Sequence, residues 1–469
     1  MSLTFYNSLS HRKEEFKPLA SEQVGLYTCG PTVYNFAHLG NFRCYAFEDI
    51  LKRTLLLAGY KVKHVMNLTD VDDKTIRGSR AANLKLTDFT AKYKKAFFED
   101  IATLRMIPAE VYPAATDHIP EMIALIQALF DKGIAYQAED KSVYFSIDKW
   151  PSYGQLVNLD REGQRSGVRV KMDEYAKESV GDFALWKAWD EADGDVAWES
   201  PWGKGRPGWH IECSAMSSKY LGKTFDLHCG GIDNMFPHHE DEIAQSEAAN
   251  GCKFVNYWMH CAHMVVDGQK MSKSLGNFYT LHDVLSRGYT GREIRWVLIG
   301  THYRQSLNFT FQALDDARVS LQRLDTFRNR LLENRNLPAG EISAAVQELA
   351  SRTDSAFRAA LFDDLNISSA LAALFDFLRE MNRLLDTSQL TSADIQLALK
   401  TLETMDSVLA VCVPDESEGV PADIQALADE RQAARKAKDF ARADALRQQI
   451  SDLGWTVEDT PKGPRCHRK

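Results

Sequence analysis

No apolar run in this sequence approaches the roughly 18 residues that a membrane-spanning helix needs, so a helical membrane span is not expected and no membrane partner is anticipated. The stretch from Met1 to Leu19 carries charges and lacks an apolar core, so no secretory signal is visible. Neither an internal repeat nor a long low-complexity tract is present, which excludes a solenoid. His-Glu-x-x-His is absent, and with it the usual zinc-hydrolase signature. The eight cysteines are scattered, unlike a disulfide framework. Reduced thiols and a cytoplasmic location are the plain expectation.

What is there suits a soluble globular protein: 44% hydrophobic and 26% charged residues over 469 positions, enough for three or four domains. A formal net charge of −9 argues against indiscriminate nucleic-acid binding. It leaves room for a nucleic-acid partner on a locally basic surface. Residues 420–469 hold ten Lys/Arg against eight Asp/Glu, a small basic excess.

The first hundred residues alternate between strand and helix patterns. Val24–Thr28 reads as a strand, Asn41–Gly59 as a helix, and Lys61–Asn67 as a second strand. Such units predict a parallel sheet with ligands at its carboxyl edge. Residues 119–204 break the pattern, with a helix at Ile119–Phe130, a hairpin around Glu139-Asp140 and a Trp-rich stretch, and read as an insertion. The sheet pattern resumes with a helix at Trp209–Leu221, a strand at Thr224–His228, a helix at Pro237–Asn250 and a strand at Val255–His260. From about Phe309 to Val413 the sequence is Leu/Ala-rich, as in an antiparallel helix bundle. Pro414–Pro421 reads as a linker, followed by two short helices and a Pro/Gly-rich tail.

Two segments far apart carry the chemistry. Pro31-Thr-Val-Tyr-Asn-Phe-Ala-His38-Leu-Gly40-Asn41 sets a His and a Gly where a strand turns into a helix, a place for an anionic ligand. Lys270-Met-Ser-Lys273-Ser274 sets two lysines three apart in a Ser-flanked loop, suited to phosphates that gain charge in a displacement. A third constellation comprises Cys29, Cys213, and His238 with Glu242 one helical turn on. Two thiolates, an imidazole and a carboxylate could hold a tetrahedral Zn²⁺. Equally, the cysteines could be small buried hydrophobes and the histidines a hydrogen-bonded helix start. Asp70-Val-Asp-Asp73 lacks the spacing and closing Glu of a calcium loop, so Asp72 or Asp73 is expected to cap a helix.

The first two segments resemble the HIGH and KMSKS signatures of class I aminoacyl-tRNA synthetases. The runs Cys29-Gly-Pro-Thr-Val-Tyr, Arg206-Pro-Gly-Trp-His-Ile-Glu-Cys-Ser-Ala-Met and Phe236-Pro-His-His-Glu are similar to those of the cysteinyl-tRNA synthetases. So are Tyr257-Trp-Met-His260, Lys270–Asn277 and Arg435-Lys-Ala-Lys-Asp-Phe-Ala-Arg-Ala-Asp, so the resemblance spans nearly the whole chain. It implies a ligase that takes L-cysteine, ATP with Mg²⁺, and tRNA(Cys). It also implies one Zn²⁺ on Cys29, Cys213, His238 and Glu242, bound directly to the substrate thiolate.

By the same resemblance His38 stabilises the α-phosphate, Asn41 stands where many relatives have a second His, and Lys273 contacts pyrophosphate with Lys270 assisting. Gly40, Gly231 and Asp233 fall at ATP positions, and Thr69 and Trp209 line the cysteine pocket beside Cys29. Cys229 is expected to be only a small buried residue. The implied fold is α/β, a Rossmann-like parallel-sheet catalytic domain with an insertion, then a helical bundle and a small C-terminal anticodon-binding domain. The expected boundaries are 1–118 and 205–268 for the core and 119–204 for the connective insertion. The KMSKS and stem-contact region takes 269–312, the bundle 313–415 and the anticodon-binding region 416–469. A monomer is expected. The rival readings are a paralogous ligase joining cysteine to an amino-sugar and a noncatalytic tRNA-binding relative.

Overall fold

Four buried segments build the centre of the molecule: Gln23–Thr28 (β1), Lys61–Met66 (β2), Phe225–Gly231 (β3) and Val255–Cys261 (β4). Near-continuous burial is the mark of strands covered on both faces. The structure, a computed structural model, describes residues 2–158, 181–387, 389–414, 422–460 and 463–468. The four strands pair in parallel in the order β4-β3-β1-β2. Strands from the first and second halves of the chain therefore meet at the β1–β3 seam, where Thr28 faces Cys229. A crevice beyond the carboxyl ends at such a reversal of strand order is where open parallel sheets place their ligands.

Leu39–Leu57 (α1) follows β1 and starts two residues earlier than the periodicity predicts. The cause is a reciprocal cap: His38 Nδ1 accepts from the Asn41 backbone N–H at 3.2 Å, and Asn41 Oδ1 accepts from the His38 backbone N–H at 3.1 Å. Asp73–Ala81 (α2) is capped by Asp72, which accepts from the backbone N–H groups of Lys74 and Thr75 at 2.8 Å each. Asp73 instead pairs with Lys187 and Arg206, and Asp70 with Lys94, so these carboxylates are spent on cations of the chain itself. Leu86–Thr103 (α3) runs beside α2.

The insertion is a helix, Ile119–Asp131, followed by an antiparallel meander of Ala135–Gln137, Val143–Phe145, Phe183–Ala188 and Gly205–Pro207. The last strand falls just past 204, on the insertion's sheet. Trp209–Leu221 (α4) returns the chain to the parallel sheet, and Glu240–Asn250 (α5) packs against it. The pattern predicts that second helix from Pro237. The α-helical run begins instead at Glu240, after a π turn over Met235–His239 in which Phe236 is extended. Proline disfavours the helical conformation in the residue before it.

A small sheet of Met264–Val266, Gln269–Lys270 and Leu307–Phe309 carries the lysine-bearing loop. Helices Phe311–Glu333, Ala344–Phe362, Ile367–Thr387 and Ser392–Leu409 form the bundle. One apolar cluster runs from Leu26 and Phe42 through Ile294 and Leu298 to Phe327, Phe377 and Val408, so sheet and bundle share a core. The C-terminal helices Ala422–Lys436 and Phe440–Asp452 have a separate one around Ile424, Ala428, Ile450 and Cys466. The Pro/Gly-rich tail holds a hairpin of Trp455–Thr460 and Gly463–Arg468, in which Trp455, Val457 and Cys466 pack on the core of those helices. Of the expected linker, only Pro414 lies within the described residues.

Candidate active site

Beyond the β1–β3 seam lies a cleft of about 570 Å³. It is lined by residues from both signature segments and from the cysteine–histidine constellation: His38, Gly40, Asn41 and Lys270 face it together with Cys29, Thr69, Trp209, Cys213 and His238. Gly231 and Asp233 complete it at the end of β3. Of the remaining candidates, Glu242 is fully buried beneath this wall. Lys273 lies in a short 3₁₀ turn, Lys273–Leu275, and its side chain is outside what the structure describes.

The wall where strand becomes loop tolerates only glycine at position 30. A Cβ there would sit 1.8 Å from the Asn67 carbonyl oxygen. The Gly30 N–H donates to Asn67 Oδ1 at 3.0 Å, and Asn67 Nδ2 donates to Thr69 Oγ1 at 3.2 Å. Thr69 in turn donates to buried Glu212 at 2.8 Å, which fixes its hydroxyl in the cleft wall that Cys29 and Cys213 also line. Gly40 is more loosely constrained, since a Cβ would crowd the side chains of His38 at 3.0 Å and Met271 at 3.1 Å.

Beneath the cleft, one sulfur each from Cys29 and Cys213, a His238 nitrogen and a Glu242 oxygen lie within 4.8 Å of one another. His238 Nε2 is 3.6 Å from Cys213 Sγ and 3.0 Å from Glu242 Oε1. The second approach is an ion-pair distance, and Glu242 Oε1 is a buried oxygen without a hydrogen-bond partner. An orphaned carboxylate oxygen between two thiols and an imidazole fits a cation in the middle, since buried polar atoms ordinarily have partners. The same cleft floor offers an overlapping set: Cys29, His228, His239 and Glu242. There Cys29 Sγ is 3.3 Å from His239 Nε2, and His228 Nε2 is 2.9 Å from Glu242 Oε2. His239 passes on to His260 at 2.8 Å, and His260 to Ser8 Oγ at 2.8 Å.

The cluster divides its protons unequally. The hydrogen bond from Cys29, against the opposing cost of burial, holds the Cys213 thiol down to about 6. The same bond, with burial, pushes Cys29 well up. Burial would depress His238, but the Glu242 carboxylate and Cys213 outweigh it and raise the imidazole to about 10. Burial drives His239 well below its usual range, reinforced by the neighbouring imidazoles. The result is an anionic Cys213 and Glu242 around a protonated His238, whose proton a bound cation would displace.

At the opposite lip, Asn277 staples the lysine loop: its Oδ1 accepts from the Ser272 backbone N–H at 2.8 Å and its Nδ2 donates to the Lys270 carbonyl at 3.2 Å. The His38 ring meets Phe278, just past the lysine loop, edge to face at 5.0 Å. Asp233, 81% exposed at its side chain, lies 3.3 Å from His263 Nδ1.

Residues 15–319 match the family model of the tRNA synthetase class I (C) catalytic domain. Residues 356–413 match the DALR domain, and 417–464 the cysteinyl-tRNA ligase anticodon binding domain. The cysteine–tRNA ligase of Protochlamydia amoebophila is 51% identical over 100% of this chain and 98% of its own length. The chain belongs to the cysteine–tRNA ligase family. The relative from Brachyspira hyodysenteriae is 49% identical over 100% of this chain and 99% of its own length. Among solved structures, the Mycobacterium tuberculosis methionyl-tRNA synthetase in complex with methionyl-adenylate superposes with a TM-score of 0.60 at 14% identity, over 83% of this chain and 90% of that one. The LeuRS of Agrobacterium radiobacter does so with 0.60 at 12% identity, over 86% of each. These superpositions show the fold, and the family matches mark it as a class I synthetase catalytic domain followed by a helical region and an anticodon-binding domain.

Within this family fold, motif reading overlooks the imidazoles behind the metal-type cluster: His210, His228, His239 and His260. They come from a helix, two strands and the π turn, and only β-strand register brings His228 and His260 to the same floor. Cys229 is buried in β3, its backbone carbonyl accepting from the Cys29 N–H at 3.3 Å. Among the described residues no helix is long and apolar enough to cross a membrane.

Proposed function

We propose that this chain activates L-cysteine with Mg·ATP and transfers it to tRNA(Cys). The observation that carries the reading is the meeting of two half-sites in one cleft: the Cys29–Cys213–His238–Glu242 cluster on its floor and His38 with Lys270 at its lips. Zinc bound by those four residues supplies a soft Lewis acid that prefers a thiolate to a harder hydroxyl. Thr69 and Trp209 border the same pocket and would position the rest of the amino acid. His38 and Asn41, at the positive amino end of α1, face the α-phosphate as the cysteine carboxylate attacks it. Lys270 and Lys273 take up the charge that develops on departing pyrophosphate. Gly40, Gly231 and Asp233 frame the nucleotide, with Asp233 an acceptor for ribose hydroxyls. The terminal adenosine 2′-hydroxyl of the tRNA then takes the cysteinyl group. Catalysis is positioning and charge stabilisation, and no covalent bond to the protein is needed.

We further propose the division into a catalytic core (1–118 and 205–268), an insertion (119–204), a lysine-loop region (269–312), a bundle (313–415) and an anticodon-binding segment (416–469), in a cytoplasmic monomer. The match of 417–464 to an anticodon-binding family favours tRNA over an amino-sugar as acceptor. Cysteine-dependent ATP–pyrophosphate exchange, followed by charging of a purified tRNA mixture, tests the reading. Exchange without charging would favour the amino-sugar ligase, and no exchange would favour the noncatalytic relative.

A further inference from the structure

Glu212 is wholly buried in α4, and none of the roles above uses it. Its Oε2 accepts from the Thr69 hydroxyl at 2.8 Å, while its Oε1 has no hydrogen-bond partner among the described residues. Burying a carboxyl group in this way is costly, and a group so placed needs a reason. Burial raises its pKa well above the usual carboxylate range. Oε2 nevertheless accepts from Thr69 with or without a proton on Oε1. Thr69 has little freedom left. Its backbone N–H donates to the Pro31 carbonyl at 3.1 Å, and its own carbonyl accepts from the Val33 N–H at 3.0 Å. Asn67 Nδ2 donates to its hydroxyl oxygen at 3.2 Å.

A hydroxyl has one proton and two lone pairs. With the proton spent on Glu212 and one pair on Asn67, Thr69 keeps a single lone pair, on a side chain that lines the cleft. Without Glu212 the proton would be free to swing into the cleft, and the same atom would be a donor. The leftover pair therefore selects among the polar groups of an amino acid. An ammonium group has three donors and no acceptor, whereas a carboxylate only accepts. Cys29 and Cys213, on the same wall, belong to the cluster that receives the sulfur, and the amino end of α1 receives the carboxylate. Trp209 has only an N–H donor to offer. Asp233, the one carboxylate among the described residues that line the cleft, stands at the nucleotide end. We propose that Glu212 is a positioning residue, which holds the Thr69 hydroxyl as a fixed acceptor for the α-ammonium group of the amino acid. This rests on the ligase reading.

The test compares dissociation constants of the zinc-loaded protein for L-cysteine and for desamino-cysteine, the same molecule with hydrogen in place of the ammonium group. The unaltered protein should prefer cysteine by roughly 10-fold or more, the scale of one hydrogen bond to a charged group. Glu212→Met and Glu212→Ala, which remove the acceptor, should each cut that preference by about 10-fold. Glu212→Gln, whose amide oxygen can still accept from Thr69, should keep it to within about threefold. Zinc content by elemental analysis should match the unaltered protein in all three. In a Thr69→Val protein, which has no hydroxyl to orient, Glu212→Met should change the preference no further. A preference that survives both Glu212→Met and Glu212→Ala would overturn the proposal, as would equal losses in the Met and Gln proteins. Loss of zinc in the Gln protein would also overturn it, because Glu212 would then serve the metal cluster. Absence of cysteine-dependent exchange in the unaltered protein would instead overturn the ligase reading itself.

Discussion

Trp209 lies flat against His238, their ring centroids 4.2 Å apart and their planes at 21°. On its edge the same imidazole meets His210, Nδ1 to Nδ1 at 2.8 Å, and His210 Nε2 is 3.3 Å from Asp241 Oδ2. Face and edge are thus both held, leaving Nε2 turned toward Cys213 and Glu242. Outer partners of this kind commonly change metal affinity by about 10- to 100-fold.

Replacing Trp209 by Ala should therefore weaken zinc by roughly 10-fold in chelator competition, while Trp209→Phe should lose much less. Cys213→Ser should go further and emerge from purification with markedly less than one zinc per chain by elemental analysis. Undiminished zinc in that protein would refute the ligand assignment.

Lys273→Ala should slow pyrophosphate exchange by about two to three orders of magnitude, the scale of one preorganised charge-stabilising donor. Cysteine binding measured without ATP should barely change. A collapse of cysteine affinity with exchange intact at saturation would place Lys273 outside the phosphate site.

His64, in β2, is buried, with Nε2 2.9 Å from Thr28 Oγ1 and Nδ1 unpartnered. Burial, with the Lys52 charge adding to it, lowers its pKa to about 3. The folded state therefore keeps this ring neutral where the unfolded chain, near 6.5, takes up a proton. Its contribution is intact above about pH 6.5 and is lost as pH falls toward 3, about 2 kcal/mol of it by pH 5. Urea unfolding should show the His64→Gln protein losing stability less steeply between pH 6.5 and 5 than the unaltered one. Equal slopes would contradict this.

Removing residues from 416 onward should impair tRNA charging far more than cysteine activation. The removed segment has its own small core, and the sheet and bundle keep the one they share. Equal losses in charging and exchange would show that the two tasks are not separate.

Much of this was legible beforehand, for identifiable reasons. The strands at 23–28, 61–66 and 255–261 announce themselves by short strand-like stretches alternating with helical ones, and the signature segments by their residue order. The His238–Glu242 pairing follows from helical spacing even though the helix proper begins at Glu240. Long-range register was not legible. His228 and His260 reach the metal-type cluster only because β3 and β4 pair in parallel. The Asn41 side chain, expected among the catalytic residues where many relatives have a second His, also closes the cap on α1. In the tail, Trp455 and Cys466 make a hairpin because a helical partner surface exists for them, which no local pattern states.

The central claim, that a metal on Cys29, Cys213, His238 and Glu242 selects cysteine by its sulfur, is tested most directly by exchange with cysteine and with serine freed of cysteine. A hydrophobic pocket separates such small differences by only roughly 10- to 200-fold, whereas a dedicated polar partner reaches about 10⁴–10⁵. Rejection of serine by about 10⁴ or more at the activation step is the predicted result. A ratio below about 100 would contradict it, because packing alone could then account for the choice.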